Sequence, residues 1–323
     1  LSSMRAVPAA WLPSSPVGHR RPGRDQPRGG AGHARSPAQP RTALTTSPDE
    51  QGPTVPIHYE TGNNHIVRIT IDRPEARNSL DMEHFAQLRM AWDRFGDDDD
   101  AWVAVITGVG PDFCVGADLK TYIPQITALA AQMKEGGTAE VDGYRLDDGT
   151  KAVLRNVKLY KPIVAAVNGT CVAGGMEMLG GCDIRVAADT ATFGVLEPKR
   201  GLFAGGGTTV RLPRQIPFPA AMEMLLCADR LSAHRVYEMG LVNEVCSPGA
   251  VIERAYDYAR RITANGPLAV RKTKESVIRG LAVDMKEAYR IESAISSEVF
   301  SSQDAVEGPK AFAEKRPPEW KNH

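Results

Sequence analysis

Two glutamates, Glu177 and Glu197, stand in settings that suit opposite halves of a proton-transfer reaction. Glu177 lies three residues after Gly174, on the first turn of a predicted helix, where the helix dipole favours the ionised carboxylate. Glu197 lies in the apolar stretch FGVLEP, and such surroundings raise a carboxyl pKa and suit a proton donor. Two carboxylates in different environments can act as general base and general acid. Taken singly, Glu177 is more typical of an ordinary first-turn glutamate, and Glu197 of a strand-end glutamate.

Two turns rich in small residues supply a second chemical ingredient. One is FCVGADLK at 113–120, after a predicted strand that ends at Thr107, and the other is NGTCVAGGME at 168–177, after a strand that ends near Val167. Small side chains leave backbone N–H groups open at or near a helix start, where the dipole favours negative charge. If the two turns face each other, these donors form an oxyanion hole. One such turn alone is more typical of a tight corner.

The elements around these residues have the pattern of an α/β protein. Residues 66–71 alternate apolar and polar as a half-buried strand does, and a helix capped by Asp81 runs up to Phe95. The apolar runs 102–107 and 162–168 predict strands that are covered on both faces.

Beyond Gly205 the spacing of apolar residues becomes mainly helical. We therefore predict one α/β core over residues 54–250 and a helical C-terminal region over residues 251–323. The predicted helices cover 217–227, 232–239, 251–265, 267–280 and 284–300.

The segment from Tyr122 to Thr150 lies between the two turns and differs from its surroundings. It carries Gly136, Gly137 and Gly143 around a short predicted helix. A loop of this length inside a compact domain is usually functional or disordered. We expect a mobile flap that serves the site, with a solvated insertion as the alternative. The apolar positions of the short helix are Ile126, Leu129, Ala130 and Met133.

The first 53 residues differ in composition from the rest of the 323-residue chain. They hold nine Pro, six Gly and seven Arg, with Trp11 as their one aromatic residue. Such a segment cannot bury enough apolar surface to offset the entropy of ordering it, so we predict a disordered leader. An organelle transit peptide is the alternative, although frequent proline disfavours the amphipathic helix that such peptides form.

Charge and hydropathy exclude several classes of protein. The chain has a net charge of zero, and seven Arg against three acids in residues 1–53 leave a net charge of −4 on the remainder. An acidic body supplies no broad footprint for nucleic acid, because that binding depends on Lys and Arg displacing phosphate counterions. The mean hydropathy is −0.28, and no apolar run is long enough to span a membrane.

The five cysteines are odd in number, form no CxxC pair and have mostly apolar or small neighbours, so they predict reduced, buried thiols in the cytoplasm or an organelle matrix. The seven histidines are scattered, and none lies at metal-ligand spacing from another ligand. We therefore expect no metal site, and a cytoplasmic location with the mitochondrial matrix as the alternative if the leader is a transit peptide.

Four ordered segments of the chain resemble the crotonase superfamily, and the enoyl-CoA hydratases most closely. The resemblance covers about residues 57–320, and four segments in order are far more specific than one glycine motif. The segments are FCVGADLK, VNGTCVAGGMEMLGGCDIRVAAD, ATFGVLEPKRGLFAGGGTTVRLPR and GLVNEV.

The resemblance implies a fold, a reaction and a division of roles. The fold is a spiral of ββα units with a helical C-terminal region that builds trimers, often paired into hexamers. Ala117 and Gly174 match the positions whose N–H groups bind the thioester oxygen of an acyl-CoA substrate. Glu177 and Glu197 match the glutamates that hold one water and add it across the C2–C3 double bond, Glu177 deprotonating the water and Glu197 giving a proton to C2. No metal or redox cofactor is required.

The resemblance also suggests contacts with the CoA portion of the substrate. The loop with Ala76 and Arg77 resembles the one that packs against the nucleotide, and Lys120 matches a position near the phosphates, with a solvated lysine as the alternative. Asp118 is more typical of a helix cap than of an acid catalyst. The positions adjoining these motifs that we also expect at the substrate are Gly116, Asp118, Gly175 and Gly205.

The sequence leaves related activities open. Leu196 stands where close hydratases often have proline before the second glutamate, so the acyl preference cannot be inferred. Isomerases of this fold usually lack the counterpart of Glu177, and its presence therefore favours hydration. Specialised lyases, decarboxylases and thioester hydrolases of the same fold are further alternatives.

Two features of the C-terminal region bear on binding partners. Its apolar positions suggest a subunit contact, and the trimer follows mainly from the resemblance. A basic stripe there leaves a non-catalytic CoA- or RNA-binding protein as an alternative of another class, which the acidic body disfavours. The stripe consists of Arg271, Lys272, Lys274 and Arg279.

Overall fold

The computed structural model describes residues 56–62, 64–134, 140–141 and 143–323. The predicted leader, and Gly136 and Gly137 of the predicted flap, lie outside these residues. Within the described ranges, no helix combines the length and the apolarity needed to cross a membrane.

A six-stranded sheet forms the core, in the order β1-β2-β3-β7-β9-β12. β1 pairs antiparallel with β2, and every other neighbouring pair is parallel. The strands predicted at 66–71, 102–107 and 162–168 are confirmed as β2, β3 and β7. The bounds are β1 Ile57–Thr61, β2 Ile66–Ile71, β3 Val103–Gly108, β7 Ile163–Val167, β9 Ile184–Ala188 and β12 Glu244–Cys246.

The central strands are apolar on both sides because both faces of the sheet are covered. Ile69 pairs with Ile106 and Ile106 with Ala165, and all three residues are fully buried. The helix α8 (Val251–Thr263) packs on β3, β7 and β9. Parallel strands that are buried in this way have continuous apolar sequences, which is why the apolar runs identified β3 and β7.

A second, four-stranded sheet has the order β11-β10-β8-β4. Three of its strands follow a long strand of the first sheet, so that the chain repeatedly runs from long strand to short strand to helix. This alternation confirms the ββα units expected from the resemblance. The short strands were not predicted, because three residues carry no usable periodicity. They are β4 Asp112–Cys114, β8 Thr170–Val172, β10 Thr192–Gly194 and β11 Leu231–Ser232.

The predicted helix at 81–95 is confirmed as α1 (Met82–Asp97), with the Asp81 side chain accepting a hydrogen bond from the His84 N–H. The C-terminal helices are confirmed as well, apart from a π-helical turn at Glu223–Cys227 that continues α6. Their bounds are α6 Phe218–Met222, α7 Ala233–Glu238, α8 Val251–Thr263, α9 Pro267–Gly280 and α10 Met285–Phe300.

Two helices, α5 (Thr208–Gln215) and α11 (Gln303–Glu314), were not predicted. Each carries an internal proline, Pro213 or Pro309, and proline removes a helix hydrogen bond and argues against a helix in sequence. Tertiary packing overrides that local signal, since Leu212 and Ala311 of these helices are buried.

The segment between the two small-residue turns forms more regular structure than expected. Instead of a short helix, α2 (Tyr122–Lys134) has 13 residues, and the two-stranded pair β5 (Glu140–Val141) and β6 (Tyr144–Arg145) follows it. A five-residue helix, α3 (Asp148–Ala152), then leads back to the core, where its Ala152 carbonyl accepts from the indole of Trp92. The mobility of the segment stays a prediction.

Candidate active site

Both glutamates and both small-residue turns line one cavity of about 730 Å³. The first turn contributes Ala117 to the lining, and the second contributes Gly174. Glu177 and Glu197 line the same cavity. Residues that span 80 positions in sequence, from Ala117 to Glu197, thus meet at a site of the size that small-molecule ligands occupy.

The two turns lie directly against each other. A Cβ added to Gly174 would be 3.1 Å from the Cα of Gly116 and 3.4 Å from the N of Ala117. A Cβ added to Gly116, whose φ is +92°, would be 2.7 Å from the N of Gly174. Glycine is therefore required at residue 116, and a side chain at residue 174 would press the two backbones apart.

The direction of the Ala117 N–H is set by two backbone hydrogen bonds that Leu80 forms with the residues on either side of Ala117. The Leu80 N–H donates to Gly116 O at 2.9 Å, and the Asp118 N–H donates to Leu80 O at 2.8 Å. Because successive amides of extended backbone point to opposite sides, the Ala117 N–H between them points away from Leu80. Gly174 is the first residue of α4 (Gly174–Leu179), so its N–H has no acceptor within the helix.

Neither the Ala117 N–H nor the Gly174 N–H has a hydrogen-bond acceptor among the described residues. Ala173, just before Gly174, has a φ of 50° and a ψ of −121°, which is a sparsely populated conformation for a residue with a Cβ. Strain of this kind is found where the chain is held for function. The arrangement provides two adjacent donors on one cavity wall, as an oxyanion hole requires.

Glu177 is held by a donor from a distant loop. Its Oε1 accepts a hydrogen bond from the backbone N–H of Gly206, and a Cβ at Gly206 would overlap the carboxylate. Burial raises the pKa of Glu177, and the Gly206 N–H and the charges of Arg211 and Arg155 offset part of that rise. The expectation that the helix dipole favours the ionised form of Glu177 stays a prediction, and burial is the largest cause of the raised pKa.

Glu197 has no such donor. It is the first residue of a 3-10 helix over Glu197–Arg200, three residues beyond the end of β10, so it is not a strand-end residue. Burial is the largest cause that raises its pKa, to about 7, and the charge of Glu177 adds to the rise, while the backbone N–H groups of Glu197 and Leu196 offset part of it. The raised pKa is as expected for an apolar setting. Its Oε2 is buried and has no hydrogen-bond partner in the described part of the chain.

Two arginines fix the backbone that surrounds Glu177. The guanidinium of Arg211 donates to the carbonyl oxygens of Glu177, at 3.1 Å, and of Leu154. The guanidinium of Arg155 donates to the carbonyl oxygen of Gly205, which adjoins the Gly206 donor. Leu154 has a positive φ of 61°, as in a tight turn. This turn places the Leu154 carbonyl oxygen and the Arg155 side chain beside the loop that contains Gly205 and Gly206. Sequence inspection missed these arginines and Gly206, for which the glycine run AGGG was the available signal.

Arg77 is the predicted CoA contact that lies at the cavity. Its guanidinium forms a two-point ion pair with Asp112, at 3.0 and 2.7 Å, and donates to Thr170 Oγ1 at 3.1 Å. About half of its side chain remains exposed. Ala76 ends the short 3-10 helix just before it and does not line the cavity.

The other predicted substrate contacts divide into cavity and scaffold positions. Gly205 lines the cavity, whereas Gly175 packs against the backbone of Cys114. The Asp118 side chain accepts from the N–H groups of Lys120, at 2.9 Å, and Thr121, at 3.3 Å, in the turn before α2, and it pairs with Arg73 at 3.0 Å. Its role as a cap of the helix itself stays a prediction. The Lys120 side chain is exposed and stands outside the cavity lining, so its phosphate contact stays a prediction.

Two more arginines, Arg200 and Arg230, line the cavity and were not predicted. Neither forms an ion pair with a carboxylate among the described residues. Unpaired guanidinium groups at a cavity are suited to anionic groups such as phosphate.

No cluster of three or more His, Cys, Asp or Glu side chains that could hold a metal ion occurs in the described ranges. The five cysteines are free thiols, and Cys114, Cys171 and Cys182 are buried as predicted. Burial raises the pKa of each of these three thiols, which makes them poor nucleophiles. The prediction of burial was wrong for Cys227, which is exposed, and for Cys246, which is half-buried.

Comparison with known proteins gives consistent matches over the same part of the chain. Residues 61–323 match the family described as enoyl-CoA hydratase/isomerase. The chain is 40% identical to the enoyl-CoA hydratase EchA19 of Mycobacterium tuberculosis, over 84% of this chain and 98% of that protein. It is 37% identical to the (E)-benzylidenesuccinyl-CoA hydratase of Thauera aromatica, over 82% of this chain and 98% of that protein.

Solved structures match equally well. A crystal structure of an enoyl-CoA hydratase from Mycobacterium tuberculosis has a TM-score of 0.72 and 38% identity, covering 83% of this chain and 100% of the other. One from Bacillus anthracis has a TM-score of 0.74 and 31% identity, with the same coverage.

Proposed function

Because the chain belongs to the enoyl-CoA hydratase/isomerase family, we propose that it is an enoyl-CoA hydratase that works through Glu177 and Glu197. The reaction is the reversible syn addition of water to the C2–C3 double bond of a 2-enoyl-CoA thioester. The observation that carries the proposal is that both carboxylates and the two free N–H groups of Ala117 and Gly174 line one cavity.

The N–H groups of Ala117 and Gly174 bind the thioester carbonyl oxygen. Attack of water at C3 moves negative charge onto this oxygen and forms an enolate. Donors that are already in place bind the developing oxyanion more strongly than the ground-state carbonyl, which contributes about 3 kcal/mol of transition-state stabilisation per donor in comparable sites.

Glu177 acts as the base and Glu197 as the acid. The pKa of Glu197 is about 7 and its buried Oε2 lacks a donor. When the pair holds one proton, Glu197 is therefore the protonated group and Glu177 is ionised. The Gly206 N–H stabilises ionised Glu177 through Oε1 and leaves Oε2 to accept a proton from water. Glu197 then protonates C2, and proton exchange with solvent after product release restores both carboxyl groups. The scheme draws on these side chains and backbone donors and calls for no cofactor beyond the CoA of the substrate.

Arginines at the cavity bind the phosphates of CoA in this proposal. Arg200 and Arg230 are free to pair with phosphate, and Arg77 is oriented by Asp112 while part of its guanidinium stays exposed. Charge-assisted bonds from guanidinium groups suit phosphate oxygens well. Lys120 and Ala76 are proposed to adjoin the same portion of the substrate.

A homotrimer, or a dimer of trimers, is proposed as the assembly. Large apolar side chains of the C-terminal helices are exposed in the single chain, and a subunit contact would cover them. The molar mass from light scattering tests this assembly, and a monomer mass would reject it. The exposed apolar residues of the C-terminal helices are Val277, Ile278, Leu281, Met285, Tyr289, Phe300, Val306 and Phe312.

The reduced cysteines support a cytoplasmic location.

The function is tested by following the loss of conjugated enoyl-thioester absorbance with crotonyl-CoA and a longer 2-enoyl-CoA. Wild type, Glu177→Gln and Glu197→Gln are compared, with the exposed Glu238→Gln as the matched control. We expect turnover by wild type and the control, a loss of about 10²–10⁴-fold in both site variants, and a product heavier by one water. A double-bond isomer as product, or full activity in either site variant, would contradict the assignment.

A further inference from the structure

Tyr122 places a buried hydroxyl in the cavity that the proposed reaction does not use. The residue begins α2, is 9% exposed, and lines the cavity together with Phe85. The two rings are in contact, with centroids 4.3 Å apart and planes tilted by 42°. The Oη atom has no hydrogen-bond partner among the described residues.

The position of this hydroxyl depends on Gly149. Gly149 belongs to α3 and also lines the cavity, and a Cβ there would overlap Tyr122 Oη. The absence of a side chain at residue 149 therefore gives the hydroxyl its room. The Oη atom keeps accessible surface on the cavity, so a ligand oxygen can accept its hydrogen bond there.

The surrounding charges determine which ligand group fits. Burial raises the pKa of Tyr122 to about 12, and the negative charges of Asp148 and Glu177 contribute to that rise, so the hydroxyl stays protonated and donates. Asp148 is itself buried and paired with Arg89 at 2.6 Å. Two carboxylates near the hydroxyl repel a second anion, and an uncharged oxygen acceptor is therefore favoured over a carboxylate.

Apart from the two glutamates and Arg77, Arg200 and Arg230, which are proposed above to bind the CoA phosphates, the cavity wall is mostly apolar. Its large apolar side chains come from α2 and the turn before it, from the segment before α3 and from both sides of the 3-10 helix that begins at Glu197. An apolar wall with one neutral donor predicts a ligand that is apolar apart from one acceptor. The wall residues are Leu119, Ile123, Ile126, Leu146, Leu196, Leu202 and Phe203.

We propose that Tyr122 is a specificity-determining residue that selects 2-enoyl thioesters whose acyl group is apolar but carries one uncharged oxygen that accepts a hydrogen bond from Tyr122 Oη. The inference rests on the proposed hydratase function, because it identifies the acyl group of that substrate. A site built to bond a substrate oxygen rejects the analogue without it, since the buried hydroxyl is then left unpaired.

The test compares kcat/KM for cinnamoyl-CoA with its meta- and para-methoxy, hydroxy and carboxy derivatives. Methoxy groups only accept hydrogen bonds, so they isolate the donor role of Tyr122. For wild type we expect a preference of about tenfold or more for at least one methoxy or hydroxy derivative over cinnamoyl-CoA. In Tyr122→Phe the ratio falls to about one, and in Tyr237→Phe, a half-exposed tyrosine on α7, it stays at the wild-type value.

A second variant and a binding measurement keep the test independent of folding and of turnover. Gly149→Ala retains the hydroxyl but displaces it, so it too should lose the preference. Calorimetric Kd values for the saturated 3-arylpropanoyl-CoA analogues should follow the same order in wild type. If hydration fails but this order holds, the hydratase assignment fails and the recognition by Tyr122 stands.

Three results would overturn the proposal. They are equal kcat/KM and Kd values for all derivatives in wild type, an unchanged preference in both Tyr122→Phe and Gly149→Ala, and a preference for the carboxy derivatives.

Discussion

Glu177 and Glu197 line one cavity, but only Glu177 receives a hydrogen bond on its carboxylate from the distant backbone, through the N–H of Gly206. The Oε2 atom of Glu197 has no donor among the described residues, and the charge of Glu177 adds to its rise in pKa. In the proposed reaction, this asymmetry divides two chemically identical side chains into a base and an acid.

The rate of hydration should depend on both carboxyl groups. Glu197 must be protonated to give a proton to C2, so kcat/KM should fall as the pH rises through about 7. Glu177 must be ionised, so the rate should also fall at low pH, at a value above that of an ordinary glutamate because burial raises its pKa. Dehydration needs ionised Glu197 together with protonated Glu177, which is also a singly protonated pair, and hydration takes up no net proton, so kcat/KM for dehydration should follow the same bell-shaped profile. A pH profile measured in both directions checks this, and a kcat/KM that stays level above pH 7 would contradict it.

Glu197 should destabilise the folded protein at high pH. Its pKa is raised to about 7 from the ordinary 4.5, so the folded state binds the proton more tightly and stability falls as the pH rises between these values. Glu197→Gln should therefore raise Tm over wild type at pH 8 by a few degrees and change it little at pH 4.5. Thermal unfolding at the two pH values is the measurement. A gain that is equal at both would show that ionisation is not the cause.

Gly206→Ala should reduce turnover with little loss of fold. Its Cβ would overlap the Glu177 carboxylate, which must then move away from the Gly206 N–H. We expect kcat to fall by about 10–100-fold, in line with the loss of a positioned catalytic group. Gly249→Ala, at a glycine whose Cβ would meet nothing within 4 Å, is the control and should keep wild-type kcat. Equal activity in both variants would argue against positioning by Gly206.

Gly116→Ala should impair the oxyanion hole beyond the effect of backbone strain. The new Cβ would lie 2.7 Å from the Gly174 N, at a residue whose φ is +92°. Gly240 has a comparable φ of +79° but open space around it, so Gly240→Ala measures the strain alone. We expect both variants to lose about 1 kcal/mol or more of stability and only Gly116→Ala to lose kcat by 10²–10³-fold. Steady-state rates together with denaturant unfolding separate the two effects.

Arg155→Gln should shift the acidic limb of the pH profile upward. The charge of Arg155 lowers the pKa of Glu177, and its guanidinium fixes the Gly205 carbonyl next to the Gly206 donor. Loss of both effects raises the pH at which Glu177 becomes ionised and lowers kcat more than it changes KM. Arg214→Gln, at an exposed arginine of α5, is the control. An acidic limb that moves equally in both variants would show a general charge effect instead.

Local patterns were sufficient for much of the fold and for the identity of the chemical groups. The buried runs of β3 and β7 and the amphipathic spacing of α1 are contained in a few consecutive residues, because apolar periodicity is a local property. The apolar neighbours of Glu197 likewise predicted its raised pKa, which the structure confirms.

The settings of these groups depended on segments far apart in the chain. Gly206 reaches Glu177 across 29 positions, and no local pattern around Glu177 predicts that donor or the burial that raises its pKa. The helix α5 forms despite Pro213 because packing outweighs local propensity. The sequence alone determined which residues could react and which strands and helices carry them. Only the tertiary structure decided their hydrogen bonds, burial and protonation, because desolvation and charge act through space between segments that the order of residues does not bring together.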